Sequence, residues 1–248
     1  MSSKQSSNHH KIIRGDAMRA LRFVPTESAR LVCTDPPYGI GYQNHQGESV
    51  LNDERPFIWW LAEAYRITMP GGALICFTRW DVQEQFRMAI ECAGFSVKSQ
   101  LIWDKRAHGM VDCSAQFAPN HEVMWFATKD IGRAKYKFPG PRPGSIVTET
   151  RPHNTRRFHP TEKPVGLLAQ LIRSTTSRGE LVVDPFSGSG SCGVACVRES
   201  RRFIGIELDG RYVNRSRQRI AEARGKGTLF GEEHAPLIDG AEEGGRDD

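Results

Sequence analysis

The stretch "ELVVDPFSGSGSCG", residues 180–193, decides the fold. Leu181–Asp184 is an apolar run of strand length, residues 187–190 alternate serine with glycine, and a helix opens behind them. Glycines let a backbone turn sharply and come close to a ligand, and the amides of a helix N-terminus then face it. Gly188, Gly190 and Gly193 spell G-x-G-x-x-G, the dinucleotide fingerprint. Yet this loop stands in the last quarter of the chain. A dinucleotide domain needs a second mononucleotide half after the first, and too little chain remains for one.

Working outward, strand-like and helix-like segments alternate. Residues 11–23 read as a strand and a helix capped by Asp16, and 29–34 as a strand halted by Asp35-Pro36-Pro37. Residues 55–69 read as a helix, 71–78 as a strand, 80–94 as a helix, and 95–104 and 121–128 as strands. After an irregular, Gly/Pro/Arg/Lys-rich stretch at about 105–158, order returns. A helix is expected at 164–176, a strand at 181–184, a helix at 191–199, a strand at 202–208 and a helix at 210–224. This pattern predicts an α/β fold with a mainly parallel sheet and helices on both faces, in one catalytic domain over residues 11–230. Residues 1–10 are expected to be a disordered lead-in, and 231–248 a disordered acidic tail. Trp59, Trp60 and Trp80 read as core or interface residues.

The tail holds seven acids and one base, which leaves residues 1–230 with 33 bases against 22 acids. A basic body suits a polyanionic partner or, more simply, a solvated basic surface. Six scattered cysteines argue against a disulfide framework and for a reducing cytoplasm. Cys192 and Cys196 have no second ligand pair at metal spacing, so no metal is expected. No apolar run reaches the length of a membrane span, and the polar first residues do not resemble a signal peptide.

Two constellations carry chemistry. Asp184, the glycines and Glu207, nineteen residues after Gly188, describe an adenosine-type site, with Glu207 placed to accept hydrogen bonds from ribose hydroxyls. An acid in the mouth of the loop disfavours a pyrophosphate. It suits S-adenosylmethionine, which has one ribose, no phosphate and a cationic sulfonium. The second is "TDPPYG", residues 34–39, at the end of another strand. Asp35 and the carbonyls of Pro36 and Pro37 offer rigid acceptors for an –NH2 group, and Tyr38 a flat face beside them. That combination suits the exocyclic amine of a nucleobase.

Taken together, "DPPY" and "DPFSGSG" resemble the amino-methyltransferases of DNA, and their order resembles the β class, where D-P-P-Y precedes F-x-G-x-G. "GD" at 15–16, "HPTEKP" at 159–164 and "FIGIELD" at 203–209 extend the resemblance over residues 11–224. It implies a Rossmann-like S-adenosylmethionine-dependent fold with permuted motif order. It implies methylation of adenine N6 in double-stranded DNA, with the base flipped out and Asp35, Pro36, Pro37 and Tyr38 catalytic. Cytosine N4, an RNA substrate or a catalytically silent DNA-binding protein are the alternatives, with a dehydrogenase behind them. The resemblance assigns Asp16 and Ala17 to the cofactor adenine and Glu207 to its ribose. Asp184, Phe186, Gly188 and Gly190 fall to the methionine part, and Thr161 and Lys163 to its carboxylate, with a solvated Lys163 as the alternative; Asp35 and Ser187 are counted with the cofactor site as well. Residues 105–158 correspond to the target-recognition region, where Arg133, Lys135, Lys137, Arg142, Arg151, Arg156 and Arg157, interleaved with Tyr136, Phe138 and Phe158, are the expected DNA contacts. The additional C-terminal DNA-binding domain of some members has no counterpart, and a homodimer is expected to enlarge the footprint.

Overall fold

A computed structural model describes residues 9–39, 56–106, 115, 117–150 and 162–229, the last four by backbone alone. The strands are β1 (His10–Arg14), β2 (Ala29–Thr34), β3 (Thr68–Thr78), β4 (Ser96–Asp104), β5 (His121–Thr128), β6 (Ile146–Thr148), β7 (Leu181–Asp184) and β8 (Arg202–Glu207). They form one sheet in the order β1-β8-β7-β2-β3-β5-β4-β6. β5 runs against both of its neighbours, and all other pairings are parallel. The helices are α1 (Ala17–Ala20), α2 (Leu61–Ile67), α3 (Gln83–Cys92), α4 (Val165–Thr175), α5 (Ser191–Arg198) and α6 (Gly210–Leu229).

Helices cover both faces, as the alternation predicts. Leu31, Cys33, Ala73, Ile75 and Val182 face α4, α5 and α6, where they meet Leu167, Ile172, Ala195 and Ile220. Val32, Leu74, Cys76 and Val183 face the other way and pack with Trp60, Leu61, Phe86 and Ile90 of the α2–α3 layer. Strands buried on both faces read as near-continuous apolar runs, which is why β2, β3 and β7 stand out in the sequence.

One expectation is corrected. The helix expected over 55–69 is only Leu61–Ile67, and Thr68 already belongs to β3. At Gly72 a Cβ would meet Thr68 Cγ2 at 2.7 Å, the Met69 carbonyl at 2.8 Å and the Arg30 carbonyl of β2 at 3.0 Å, so glycine fits the close approach at the start of these strands. Trp60 is buried as expected, but Trp59 and Trp80 are exposed. Within the stretch 105–158 lies β5, the strand expected at 121–128, and also β6 at the edge of the sheet, too short to show among glycines and prolines. The expected lead-in and tail fall largely outside the described residues.

The strand order reverses between β7 and β2. From β7 the chain proceeds through β8 to the edge near β1, and from β2 it proceeds the other way through β3. Open α/β sheets bind ligands beyond the carboxyl ends of their strands at such a switch point. Leu31 pairs with Val182 and Val32 with Val183, so Thr34 and Asp184 end side by side.

Candidate functional site

At this switch point Thr34 Oγ1 donates to Asp184 Oδ1 at 2.7 Å, and the Phe186 N–H donates to the same oxygen at 3.1 Å. Burial, opposed by these two donors, pushes the Asp184 carboxyl up to about 7. The turn beyond is closed by Ser187 N–H on the Ile206 carbonyl at 2.8 Å and by Gly190 N–H on the Ser187 carbonyl at 2.8 Å. Gly188 and Gly190 both have positive φ, a conformation that favours glycine. Glu207 binds the loop directly, taking the Gly188 N–H at 2.8 Å and the Asp209 N–H at 2.7 Å.

The segment 15–17 joins the same site through β1. Gly15 N–H donates to the Glu207 carbonyl at 2.9 Å. Asp16 caps α1 through the Arg19 N–H, and Ala17 is buried behind it. Phe186 stands edge-on between Phe57 and Trp60, at 5.9 and 5.5 Å. That aromatic brace is invisible in the sequence because it depends on α2 folding over the loop.

On the other side of the joint, Tyr38 donates its hydroxyl to Asp35 Oδ1, and Lys163 Nζ lies 2.6 Å from Asp35 Oδ2. The Tyr38 ring meets Phe86 edge-on at 6.2 Å. The Pro37 carbonyl accepts the Phe57 N–H at 3.2 Å, and among the described residues no N–H is paired with the Pro36 carbonyl. Lys163 is not a solvated surface charge. It is buried between Asp35 and Glu122, 3.2 Å from Glu122 Oε2. Burial lifts the Asp35 carboxyl above its ordinary value, and Lys163 pulls against that.

Sequence reasoning missed the clasp behind these loops. Arg219 of α6 donates to the Ser189 carbonyl at 2.9 Å and to Glu162 Oε1 at 2.7 Å, fastening "HPTEKP" to the glycine turn. Glu162 is 5% exposed. Losing one partner of a buried ion pair is strongly destabilising, by about 3–5 kcal/mol. Arg219→Met is therefore expected to lower the urea midpoint markedly at pH 7, and Glu162→Gln, which leaves no buried anion, to lower it less. Equal midpoints for the two variants would show that Arg219 is not neutralising Glu162.

Of the expected DNA contacts, the four that are described do not lie beside the switch point. Gly71 N–H donates to the Lys129 carbonyl, and Arg30 donates to the Lys137 carbonyl. Both contacts lie where the parallel strands begin. Arg133, Lys135 and Lys137 are exposed there, at the opposite end of β2 from Asp35. Because β5 runs backwards, the chain after it emerges at the far edge of the sheet. Arg142 is exposed on the outer flank, shortly before the Ser145 carbonyl meets the Ile102 N–H of β4. Tyr136 and Phe138 pack on Phe126, at 5.2 and 5.7 Å, and are not free to stack on a base. Thr161, Arg151, Arg156, Arg157 and Phe158 lie outside the described residues. The ligand edge instead carries exposed Trp80, Phe117 and Arg106. Among the described residues no cluster of metal-ligating side chains occurs, and no helix is long and apolar enough to cross a membrane.

A family model described as DNA methylase, covering N6 and N4 methyltransferases, matches residues 29–218. YubD of Escherichia coli (strain K12), named as a methylase, is 33% identical over 215 residues, covering 85% of this chain and 90% of YubD. YhdJ of the same organism, named a DNA adenine methyltransferase, is 27% identical, covering 84% and 82%. The crystal structure of the M1.HpyAVI–SAM complex superposes with a TM-score of 0.70 at 23% identity, covering 85% of this chain and 98% of that one.

Proposed function

We propose, for a chain that belongs to the N6/N4 DNA methylase family, that it moves a methyl group from S-adenosylmethionine to the N6 amine of an adenine flipped out of double-stranded DNA. The observation that carries this is the juxtaposition at the switch point. Thr34 and Asp184, 150 residues apart in sequence, are hydrogen-bonded, so the acceptor set of "DPPY" and the glycine loop share one cleft edge.

The residues present fit the cofactor. Glu207 already orders the loop that would meet a ribose, Asp184 offers a carboxylate to a cationic group, and the positive-φ glycines give close backbone approach. Bound S-adenosylmethionine supplies a methyl carbon on a positively charged sulfur. The protein contributes position and charge. A carboxylate has about four lone-pair sites, so Asp35 retains acceptor capacity beside Tyr38 and Lys163. Asp35 and the Pro36 carbonyl would take the two amine hydrogens and draw the nitrogen lone pair out of conjugation with the ring. The lone pair would then be aimed at the methyl group that the bound cofactor supplies. Bond formation from nitrogen would return the carbon–sulfur electron pair to sulfur, and the excess proton on the amine would pass to solvent water. Positioning and preorganised acceptors supply most of the rate. A base inside a duplex cannot reach Asp35, so flipping is required.

Adenine is preferred over cytosine because an aspartate opens the tetrad, as in the adenine enzymes that the motif resembles, and because YhdJ is named for adenine. Hydrolysis of DNA from cells expressing the chain, followed by mass analysis of nucleosides, is expected to show N6-methyladenine that is missing from control cells. N4-methylcytosine in its place would reassign the base, and neither modification would sink the proposal.

The Asp184 carboxyl near 7 gives a further expectation. A cation binds its ionised form, so affinity for S-adenosylmethionine rises as pH increases through about 7. Calorimetric titration at pH 6 and pH 8 is expected to show tighter binding at pH 8 and proton release on binding. S-adenosylhomocysteine, which lacks the sulfonium charge, should show a weaker trend. Identical pH profiles for the two ligands would rule out Asp184 as the partner of that charge.

A further inference from the structure

Behind Asp35 runs a line of alternating charges that the motifs do not announce. Lys163 Nζ is 2.6 Å from Asp35 Oδ2 and 3.2 Å from Glu122 Oε2, and Lys105 Nζ is 2.9 Å from Glu122 Oε1. The two lysines are 9% and 4% exposed. Each packs against an aromatic ring, Lys163 over Phe77 at 5.2 Å and Lys105 over Trp103 at 5.4 Å. Three separate segments supply the line: Lys163 precedes α4, Glu122 begins β5, and Lys105 follows β4.

Buried ion pairs seldom add net stability over apolar packing, because two charges must leave water. A four-charge line therefore calls for a use, and it ends on the one carboxylate that faces the proposed substrate amine. We infer that Glu122, braced by Lys105, is a positioning residue for methyl transfer: it holds Lys163 in place and offsets part of its charge, so that Asp35 stays ionised yet remains a strong acceptor. This rests on the proposed role of Asp35 as amine acceptor.

The two neighbours act in opposite senses. Lys163 favours the ionised carboxylate of Asp35, and Glu122 disfavours it. Glu122 itself, though pushed up by burial, is pulled down to about 2 by Lys163 and Lys105, so it is anionic throughout the working range. The other titratable groups around Asp35 are Tyr38 on its own segment, Cys33 on β2, Cys76 on β3 and Asp184 on β7. Burial holds the Tyr38 hydroxyl and the Cys76 thiol protonated, and the neighbouring Cys192 thiol together with burial does so for Cys33, so that among the described groups Asp184 is the further charge that changes near neutrality.

The test uses the full chain, carboxyl-13C aspartate labelling, radiolabelled S-adenosylmethionine and unmethylated bacterial genomic DNA. In Glu122→Gln the Asp35 carboxyl resonance is expected to titrate at lower pH than in the unaltered protein. kcat is expected to fall by about tenfold or more while KM for S-adenosylmethionine changes less than about twofold. Glu122→Asp, which keeps the charge, should recover most of both. Lys163→Met should move the Asp35 titration the other way, to higher pH. If that variant does not fold, the glutamate pair alone decides. An unmoved Asp35 titration in Glu122→Gln, or kcat within about twofold of the unaltered chain, overturns the inference. Absence of methyl transfer by the unaltered chain would instead fail the functional proposal, and the carboxyl titration would still decide whether Glu122 governs Asp35.

Discussion

Replacing Asp35 by alanine is expected to abolish methyl transfer while S-adenosylmethionine still binds. The carboxylate is the only ionised acceptor that the "DPPY" tetrad offers, and loss of one preorganised polar group at a reacting centre costs about 10²–10³ in rate. The loss here is expected at or beyond the upper end, because Asp35 also anchors the Tyr38 hydroxyl and Lys163. Asp35→Asn is the sharper control. It keeps the size of the side chain but can present an NH2 donor where the substrate amine needs an acceptor. Calorimetry should find cofactor affinity in both variants close to that of the unaltered chain, since Thr34, Asp184, Glu207 and the glycine turn are untouched. Methylation persisting in Asp35→Ala would remove this residue from the chemistry.

Gly190→Ala is expected to be the most damaging small change in the fold. Gly190 sits at φ +82°, and an added Cβ would lie 2.5 Å from Ser216 Cβ and 2.9 Å from Ser216 Cα. The left-handed conformation costs an alanine about 1–2 kcal/mol, and overpacking typically adds about 1–3 kcal/mol. For a domain of this size each kcal/mol lowers Tm by about 2–4 °C, so a fall of roughly 5–15 °C follows. Gly179→Ala isolates the two causes. Its φ is +80° but nothing lies within 4 Å of the added carbon, so only the backbone term applies. Equal Tm losses in the two variants would mean that α6 yields freely and that the Ser216 contact contributes nothing.

Gly190 also shows where sequence and structure part. The pattern of glycines located the loop, the strand before it and the helix after it, because those features are local. What each glycine does was not legible. Gly188 donates its N–H to Glu207, as a ligand loop suggests, whereas Gly190 and Gly193 are needed because α6 packs close, Gly193 against Ile220 and Phe203. The acids at strand ends, Asp35, Asp184 and Glu207, were legible because strand termini in an α/β sheet collect on one edge. Lys163 was found by its motif but given a different partner, since Glu122 and Lys105 reach it only through strand order. The location of the basic residues at 133–137 was not legible for the same reason. Composition marks them as available to a polyanion, but it is the reversed direction of β5 that puts them at the end of the sheet away from Asp35.

The pairing of β1 with β8 and of β2 with β7 also bears on how the chain is made. His10 pairs with Phe203 and Leu31 with Val182, so the first strands to leave a ribosome wait for the last. At about 5–20 residues per second, the interval between β2 and β7 is on the order of ten seconds or more. During it β1 and the β7-facing edge of β2 have no native partner, which makes folding slow and exposes the nascent chain to wrong pairings. The same delay means that no truncated product lacking β7 and β8 can assemble both halves of the cleft.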